Sequence, residues 1–483
     1  MANIKRNLAY NFALSCSQLL LPLLSIPYVS RVLDPAGIGR VGFIDSFTFY
    51  FVIIAEFGIT TYGIREVAKC QDDPVKLHKL VPQLLTLHAI SSLFTLLVYA
   101  TGIMLLWQRI GEMRLVLFSF SFFIAHCFAC EWYFMGREKF GYIAIRSIVV
   151  RLLGLASIFV LVRQPADYYL YYAAIVGSAV LTTVWNIAIM FREIPFSFRQ
   201  VAWRQHLRFV WVTYLISLFY SIPLMLDNVL VGLVSTVTMV GLYSFSVKVV
   251  RIGSTILTDS FLIFFPRIVS LSHEMKQEQL LQKLSLNVQF IILLAIPMGV
   301  GLFLVADELA LVFFGPKFTG TADNLRILAL FPLIKGLSLF LSNPVLIAQH
   351  RELAVLKNLV VSSSLFIILA LLLSFLYGAV GASIALIIAE ACLMFLNFIS
   401  ARRYFPAVQL SGLVFLQGLI AAVLFIPVVY ALQQFVPAGA IRLGLVILCC
   451  IISYVVALII MKNDFINRIV RLLRGETVYE SVS

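Results

Sequence analysis

The chain has 483 residues, of which 61% are apolar and only 12% charged, and its net charge is +13. Soluble proteins carry about 25% charged and about 45–50% apolar residues, so a set of water-soluble domains is excluded and lipid must be the solvent for most of the chain. The excess of base does not point to nucleic acid. Lys and Arg fall mostly in short gaps between apolar runs, the pattern that orients membrane helices.

An apolar helix of about 20 residues crosses a hydrocarbon layer of about 30 Å. Runs of that kind predict spans near 9–31, 41–64, 82–106, 115–135, 141–162, 168–191 and 209–233. Seven more follow near 239–262, 284–305, 327–349, 353–377, 382–400, 410–432 and 442–461. The first run has no small-residue cleavage site and carries Asn11, Gln18, Pro22 and Pro27, so it reads as a retained helix rather than a signal peptide. Fourteen crossings place both termini on one side. Gaps on the opposite side hold 8 Lys or Arg and gaps on the termini's side hold 23, so the termini are expected in the cytoplasm.

No gap is long enough for a folded domain. In the stretch 192–208, Phe196, Phe198, Val201, Trp203 and Leu207 alternate with Arg199, Arg204 and Arg208, which predicts a short helix lying in the headgroup layer. The seven cysteines lie mostly within apolar runs, against a disulfide framework. Cys127 and Cys130 form a CxxC at membrane depth and are expected to act as small packing residues, with no metal and no cofactor.

Span starts compared six helices apart differ by 198 to 202 residues for the first three pairs and by 212 to 214 for the last three. The step falls where the segment 306–326 is inserted. Leu21-Pro22-Leu23 also faces Ile222-Pro223-Leu224, and Val41-Gly42 faces Val240-Gly241. The expected architecture is an all-α integral membrane protein with two six-helix lobes related by pseudo-two-fold symmetry. The lobes are 1–200 and 201–405, and two appended spans with a tail fill 406–483. Parallel repeats of this kind are a transporter architecture with the substrate near mid-membrane. Pro22 and Pro223 each remove a backbone donor mid-helix and are expected either to kink a span statically or to let it bend.

Five basic residues lie well inside spans: Arg146, Arg151, Lys248, Arg251 and Lys335. A charge at a helix centre costs about 2.5–3.5 kcal/mol on insertion scales, so these are expected to face protein or water. Lys248 and Arg251 belong to a stripe with Ser244, Thr255 and Asp259 that shares one helix face. Asn11, Ser15, Gln18 and Ser25 repeat the pattern in the first span. Among the acids, Asp45, Glu56 and Asp227 are candidates for carrying a coupling ion, whereas Glu131 and Glu390 read as ion-pair partners of nearby bases. Bases outnumber deep acids, which favours an anionic passenger. Arg supplies a planar fork of donors for phosphate, and Lys a compact charge.

Residues 27–69 contain Pro27-Tyr28, Ser30-Arg31-Val32-Leu33, Gly37-Ile38-Gly39, Tyr50-Phe51, Gly58-Ile59 and Tyr62-Gly63-Ile64-Arg65-Glu66. A second block holds Asp227, Val240-Gly241-Leu242-Tyr243-Ser244 and Pro266-Arg267. Together they resemble the Wzx-type O-antigen and capsular oligosaccharide flippases, of the polysaccharide-transport branch of the MOP exporter superfamily. Asp34 departs from the glycine usual before Pro35. The resemblance implies a flippase, not an enzyme, in a bacterial inner membrane. Its cargo would be an undecaprenyl-diphosphate-linked oligosaccharide, moved by alternating access and coupled to an H+ or Na+ gradient. An oligosaccharide polymerase and a chain-length regulator would be its protein partners. Arg31, Arg65 and Asp227 fall in the matched motifs, so Arg31 joins the candidate cargo-binding bases and Arg65, with Pro22 and Pro223, the candidate gating elements.

Two rivals are a multidrug exporter of the same superfamily, for which twelve spans and an acid-lined lumen would be expected, and a membrane-embedded polymerase or glycosyltransferase. Against the latter, the outer gaps are short and the six histidines have no metal-ligand spacing such as HExxH.

Overall fold

A computed structural model describes residue 17, residues 21–70, 73–194, 203–273, 277–404, 412–463 and residue 465, with the backbone alone chiefly over 258–273 and 277–280. Helix dominates the described residues, and no strand occurs among them. Eleven helices are long and apolar enough to cross a membrane. They account for twelve of the fourteen predicted spans, because Glu352–Tyr404 is one 53-residue helix broken at Gly378, where φ is 59° and ψ is −130°. The predicted span 239–262 lies on the 37-residue helix Val237–His273. Most of the first span lies outside the described residues, its visible part being helical over 21–32. The predicted headgroup-layer helix also falls largely outside them, leaving only the short turn Trp203–His206.

Chain contacts divide the molecule into two compact units. One holds Met1–Ser244 with Ala370–Gly378, and the other holds Phe245–Leu369 with Ala379–Ser483. In unit 1 the chain signals its own helix ends. Pro35 and Pro74 open helices at positions whose N–H would be unpaired anyway. Asp73 caps Pro74–Leu105 by accepting from the Lys76 amide at 3.1 Å. Phe57 and Gly58, both at positive φ, end Pro35–Glu56 and start Ile59–Lys69. A Cβ on Gly58 would also sit 3.0 Å from the Tyr214 amide nitrogen. One core of this unit packs Trp132, Tyr133 and Phe134 against Tyr62, Leu84 and Val210.

Proline reshapes a helix in each unit. Around Pro223 the backbone widens into the π-helix Ile222–Leu226 before the helix Asp227–Val234 begins. Around Pro344 it widens into Leu341–Leu346, followed by the tight turn Ile347–Gln349. Proline lacks the N–H and crowds the preceding turn, and a widened turn accommodates both defects. Large apolar side chains such as Phe94, Leu105, Phe435 and Ile441 stand outward, the surface expected of helices whose solvent is hydrocarbon.

Candidate functional site

Two of the five deep bases are neutralised. Arg146, 2% exposed, donates through Nη2 to Glu131 Oε1 at 3.1 Å and to Ser147 Oγ at 2.9 Å, and through Nη1 to Asn186 Oδ1 at 2.5 Å. The Tyr142 hydroxyl donates to the same Asn186 oxygen, and the guanidinium lies over the Tyr142 ring. Lys335, 5% exposed, donates to Glu390 Oε1 at 2.7 Å. The expectation that these two bases face a hydrated passage is therefore corrected. Each lies inside a helix bundle, because an acid one helix away supplies the counter-charge.

Arg151, five residues beyond Arg146 on the helix Phe140–Leu161, has a different setting. It is half-buried, donates from Nη1 to Ser17 Oγ at 2.6 Å, and lines an open groove of about 400 Å³ in unit 1. Ser17, Pro22, Ser25 and Ser178 share that lining. Gly154 keeps it passable, since a Cβ there would meet Ser178 Oγ at 2.5 Å. A guanidinium with hydroxyls in an otherwise apolar groove can hold an anionic or polyhydroxylated group. The groove joins Arg151 with Pro22 and with Ser25 of the first-span polar face; Asn11, Ser15 and Gln18 lie outside the described residues.

In unit 2, Lys248 and Arg251 are half-buried on Val237–His273. Lys248 makes no ion pair among the described residues, whereas Arg251 has a partner. Ser244 is 2% exposed, and the Thr255 hydroxyl donates to the Ile252 carbonyl at 2.7 Å. The side chain of Asp259 lies outside the described residues. Arg31 is exposed at the end of the 21–32 helix.

Asp227 is 1% exposed, directly after the π-helix at Pro223. Its Oδ1 accepts from the Asn228 amide at 2.8 Å, and Asn228 Nδ2 donates to Ser46 Oγ at 2.9 Å. Asp45, on the neighbouring Pro35–Glu56, is half-buried, and so is Glu56 at that helix's end. Arg65 is exposed. It bonds Glu66 at 3.2 Å and lies over the Tyr62 ring.

Beside it stands a buried cluster that sequence reasoning missed. His206 Nδ1 lies 2.8 Å from the Tyr62 hydroxyl and Nε2 lies 3.0 Å from Gln83 Oε1. An amide oxygen only accepts, so Nε2 carries the proton and Nδ1 accepts from Tyr62. Burial holds the imidazole below its ordinary range, against an opposing pull from Glu66. Burial also raises the Glu66 carboxyl, but Lys69 and Arg65 outweigh it and hold it below the usual carboxylate range.

Unit 2 also has an apolar groove of about 560 Å³, lined by residues such as Val249, Phe290, Met298, Phe425, Cys450 and Leu458. Its Tyr454 hydroxyl is already engaged with the Leu293 carbonyl at 2.9 Å. No spacing rule marks such a groove, because every residue in it also satisfies the pattern of a membrane helix.

The family model described as "Polysaccharide biosynthesis protein" matches residues 4–272, more than half of the chain. The "Putative O-antigen transporter" of Escherichia coli (strain K12) is 23% identical over 414 residues, covering 83% of this chain and 97% of that protein. The solved structure "Lipid II flippase MurJ, inward closed conformation" aligns with a TM-score of 0.72 at 14% identity, covering 95% of this chain and 100% of the other. A "multidrug resistance MATE family transporter of the MOP superfamily", in its inward-facing conformation, aligns with a TM-score of 0.62 at 15% identity over 81% of this chain and 95% of the other. The chain thus belongs to the polysaccharide biosynthesis protein family, a multi-pass helical membrane protein with the fold of the MOP-type transporters.

Proposed function

We propose that the protein is a flippase moving a lipid-linked, diphosphate-bearing oligosaccharide from the cytoplasmic to the outer leaflet of a bacterial inner membrane by alternating access. The observation that carries this reading is the Arg151 groove, which puts one base and several hydroxyls in a passable recess of an apolar bundle. A diphosphate-sugar head needs such a setting, because hydrocarbon offers its charges and hydroxyls no partners. The family match and the names of the relatives point the same way.

In this reading Arg151, Lys248, Arg251 and Arg31 attract the diphosphate, while Arg146 and Lys335 serve the bundle. The apolar groove of unit 2 takes the polyprenyl chain, since its hydroxyl is already bonded and hydrocarbon is the occupant that needs none. The six-helix lobes 1–200 and 201–405 move, with Pro22, Pro223 and Arg65 at the bending and closing points, and 406–483 rides with the second lobe. An H+ or Na+ ion at Asp227, with Asp45 and Glu56 near it in sequence or on the facing helix, biases the moving equilibrium if the two states bind that ion differently.

The test is leaflet exchange of a fluorescent undecaprenyl-diphosphate oligosaccharide in sealed proteoliposomes. Exchange above protein-free vesicles, lost in R151Q, is expected. Exchange equal to that of empty vesicles refutes the reading, and export of cationic dyes in its place would favour a multidrug exporter.

A further inference from the structure

Beyond its break at Gly378, the helix ending at Tyr404 carries Ser383, Glu390 and Asn397 at seven-residue intervals, which puts them on one face. None is more than 1% exposed. Each meets a polar group from the segment that runs from Thr321 to Phe340. Ser383 Oγ donates to Asn324 Oδ1 at 3.0 Å, Lys335 Nζ donates to Glu390 Oε1 at 2.7 Å, and Asn397 Nδ2 lies 3.4 Å from the Ser338 carbonyl. Asn358 Nδ2 extends the chain of contacts, donating to Asn397 Oδ1 and Ser400 Oγ, both at 3.0 Å. From Ser383 to Ser400 the stripe covers about 26 Å at 1.5 Å per residue, close to the thickness of the hydrocarbon layer. All of it lies within unit 2.

The ion pair at its middle is incomplete. Glu390 Oε2 is buried with no hydrogen-bond partner. Asn287, on the helix packed against Phe331–Phe340, is also buried, with neither amide atom partnered. A bare carboxylate oxygen in a low-dielectric interior favours a proton there. Lys335 sits six residues before its helix widens at Leu341 around Pro344, a place where that helix can change its course.

We propose that the Lys335–Glu390 pair is a proton-binding site, reached along this polar stripe, whose charge state sets the preferred conformation of unit 2. The carboxylate takes a proton from water at one end of the stripe and becomes a neutral acid. Lys335 keeps its charge, so the pair passes from neutral to a single positive charge. A lone buried ammonium is unfavourable, and a conformation that hydrates Lys335 gains in population; release of the proton restores the pair. The other ionisable groups on elements packed around the pair are Lys248 and Arg251 on Val237–His273, Glu352 and Lys357 at the start of the kinked helix, and Asp307 and Glu308 on Gln277–Leu309. Asp307 and Glu308 are engaged with Arg326 and Arg442. The flippase reading enters only through what the proton would drive.

Infrared difference spectroscopy of the full-length protein in vesicles, between mildly alkaline and mildly acidic pH, reads carboxyl protonation directly. A protonated-carboxyl band is expected that is lost in E390Q and kept in D227N. K335M/E390Q removes both charges, so it tests the assignment in a bundle without a stranded ion. It should fold, lack the band and show pH-independent lipid exchange. A band unchanged in K335M/E390Q, or no Glu390-dependent band in the wild type, overturns the proposal. If the band tracks Glu390 but labelled lipid-linked sugar is not exchanged, the flippase reading fails while the proton site stands. Exchange with an unaltered pH profile in the double variant has the opposite meaning.

Discussion

Arg146–Glu131 in unit 1 and Lys335–Glu390 in unit 2 are both base–acid pairs at membrane depth, yet they are finished differently. Arg146 spreads its donors over a carboxylate, an amide and a hydroxyl, and the Glu131 side chain is still 40% exposed. The Glu390 side chain is 1% exposed and leaves one oxygen bare. The first acid can rehydrate if its partner is lost, whereas the second has nowhere to place its charge. A pair of the first kind fastens helices together. A pair of the second kind holds a charge balance that a single proton can tip.

Stability should separate the two most sharply. K335M strands the Glu390 carboxylate and is expected to cost about 3–5 kcal/mol, as for other buried pairs broken on one side. K335M/E390L, which removes both charges, should recover most of that loss. Removing the Arg146 guanidinium should cost less, about 1.5–3 kcal/mol for its charged hydrogen bonds, and E131Q less again. Thermal unfolding in detergent gives the order, and an E131Q effect equal to that of K335M would erase the distinction.

Helix contact within unit 1 supplies the next effect. A Cβ on Gly39 would fall 1.8 Å from the Val237 carbonyl oxygen, and one on Gly241 would fall 2.0 Å from that of Pro35. The obstacle is backbone, so G39A and G241A must push two helices apart, at about 1–3 kcal/mol or more. At Gly42 the nearest atom is Ser244 Oγ, 3.3 Å away, and a side chain can turn aside. G42A should therefore shift the melting temperature much less than either.

Arg146 and Arg151 extend the comparison from stability to transport. They share one helix, but Arg151 has a single described hydrogen bond, to Ser17, and an open groove beside it. R151Q should leave the melting point within about 1 kcal/mol of wild type, the scale of one hydrogen bond, and abolish lipid exchange. R146Q should lower the melting point, with lipid exchange falling only with the amount of folded protein. If R151Q destabilises as much as R146Q, Arg151 is another bundle fastener.

The spans were legible because lipid imposes a long apolar run on every helix that crosses it. The break at Gly378 merely joins two of them under one helical trace. The depth of Arg146 and Lys335 could also be read from the chain, but their hydration could not. Depth is set by position along one helix, whereas hydration depends on what a second helix brings, here Glu131, Asn186 and Glu390. The spacing of Ser383, Glu390 and Asn397 carried a readable signal, a seven-residue polar period in an apolar run. The Tyr62–His206–Gln83 cluster left none, since its members are 144 and 123 residues apart in pairs.

That cluster yields the smallest effect, at the membrane-proximal end of unit 1. The buried His206 imidazole titrates below its ordinary range, so the folded state favours the neutral ring. Its contribution is intact above the unfolded value of about 6.5 and is lost as the pH falls through the lower folded value. Protonation makes Nδ1 a donor, and the Tyr62 hydroxyl can turn to accept, so the bond reverses rather than disappears. The loss should accordingly stay near or below about 1 kcal/mol, the net worth of one neutral hydrogen bond. Glu66 adds a second, lower window. Its stabilisation by Lys69 and Arg65 is present above the usual carboxylate range and fades as the pH falls below it, weakened by the exposure of both bases. Melting temperatures measured against pH should show two shallow steps. H206Q should remove the upper step alone, E66Q the lower, and an upper step that survives H206Q would assign it to another group.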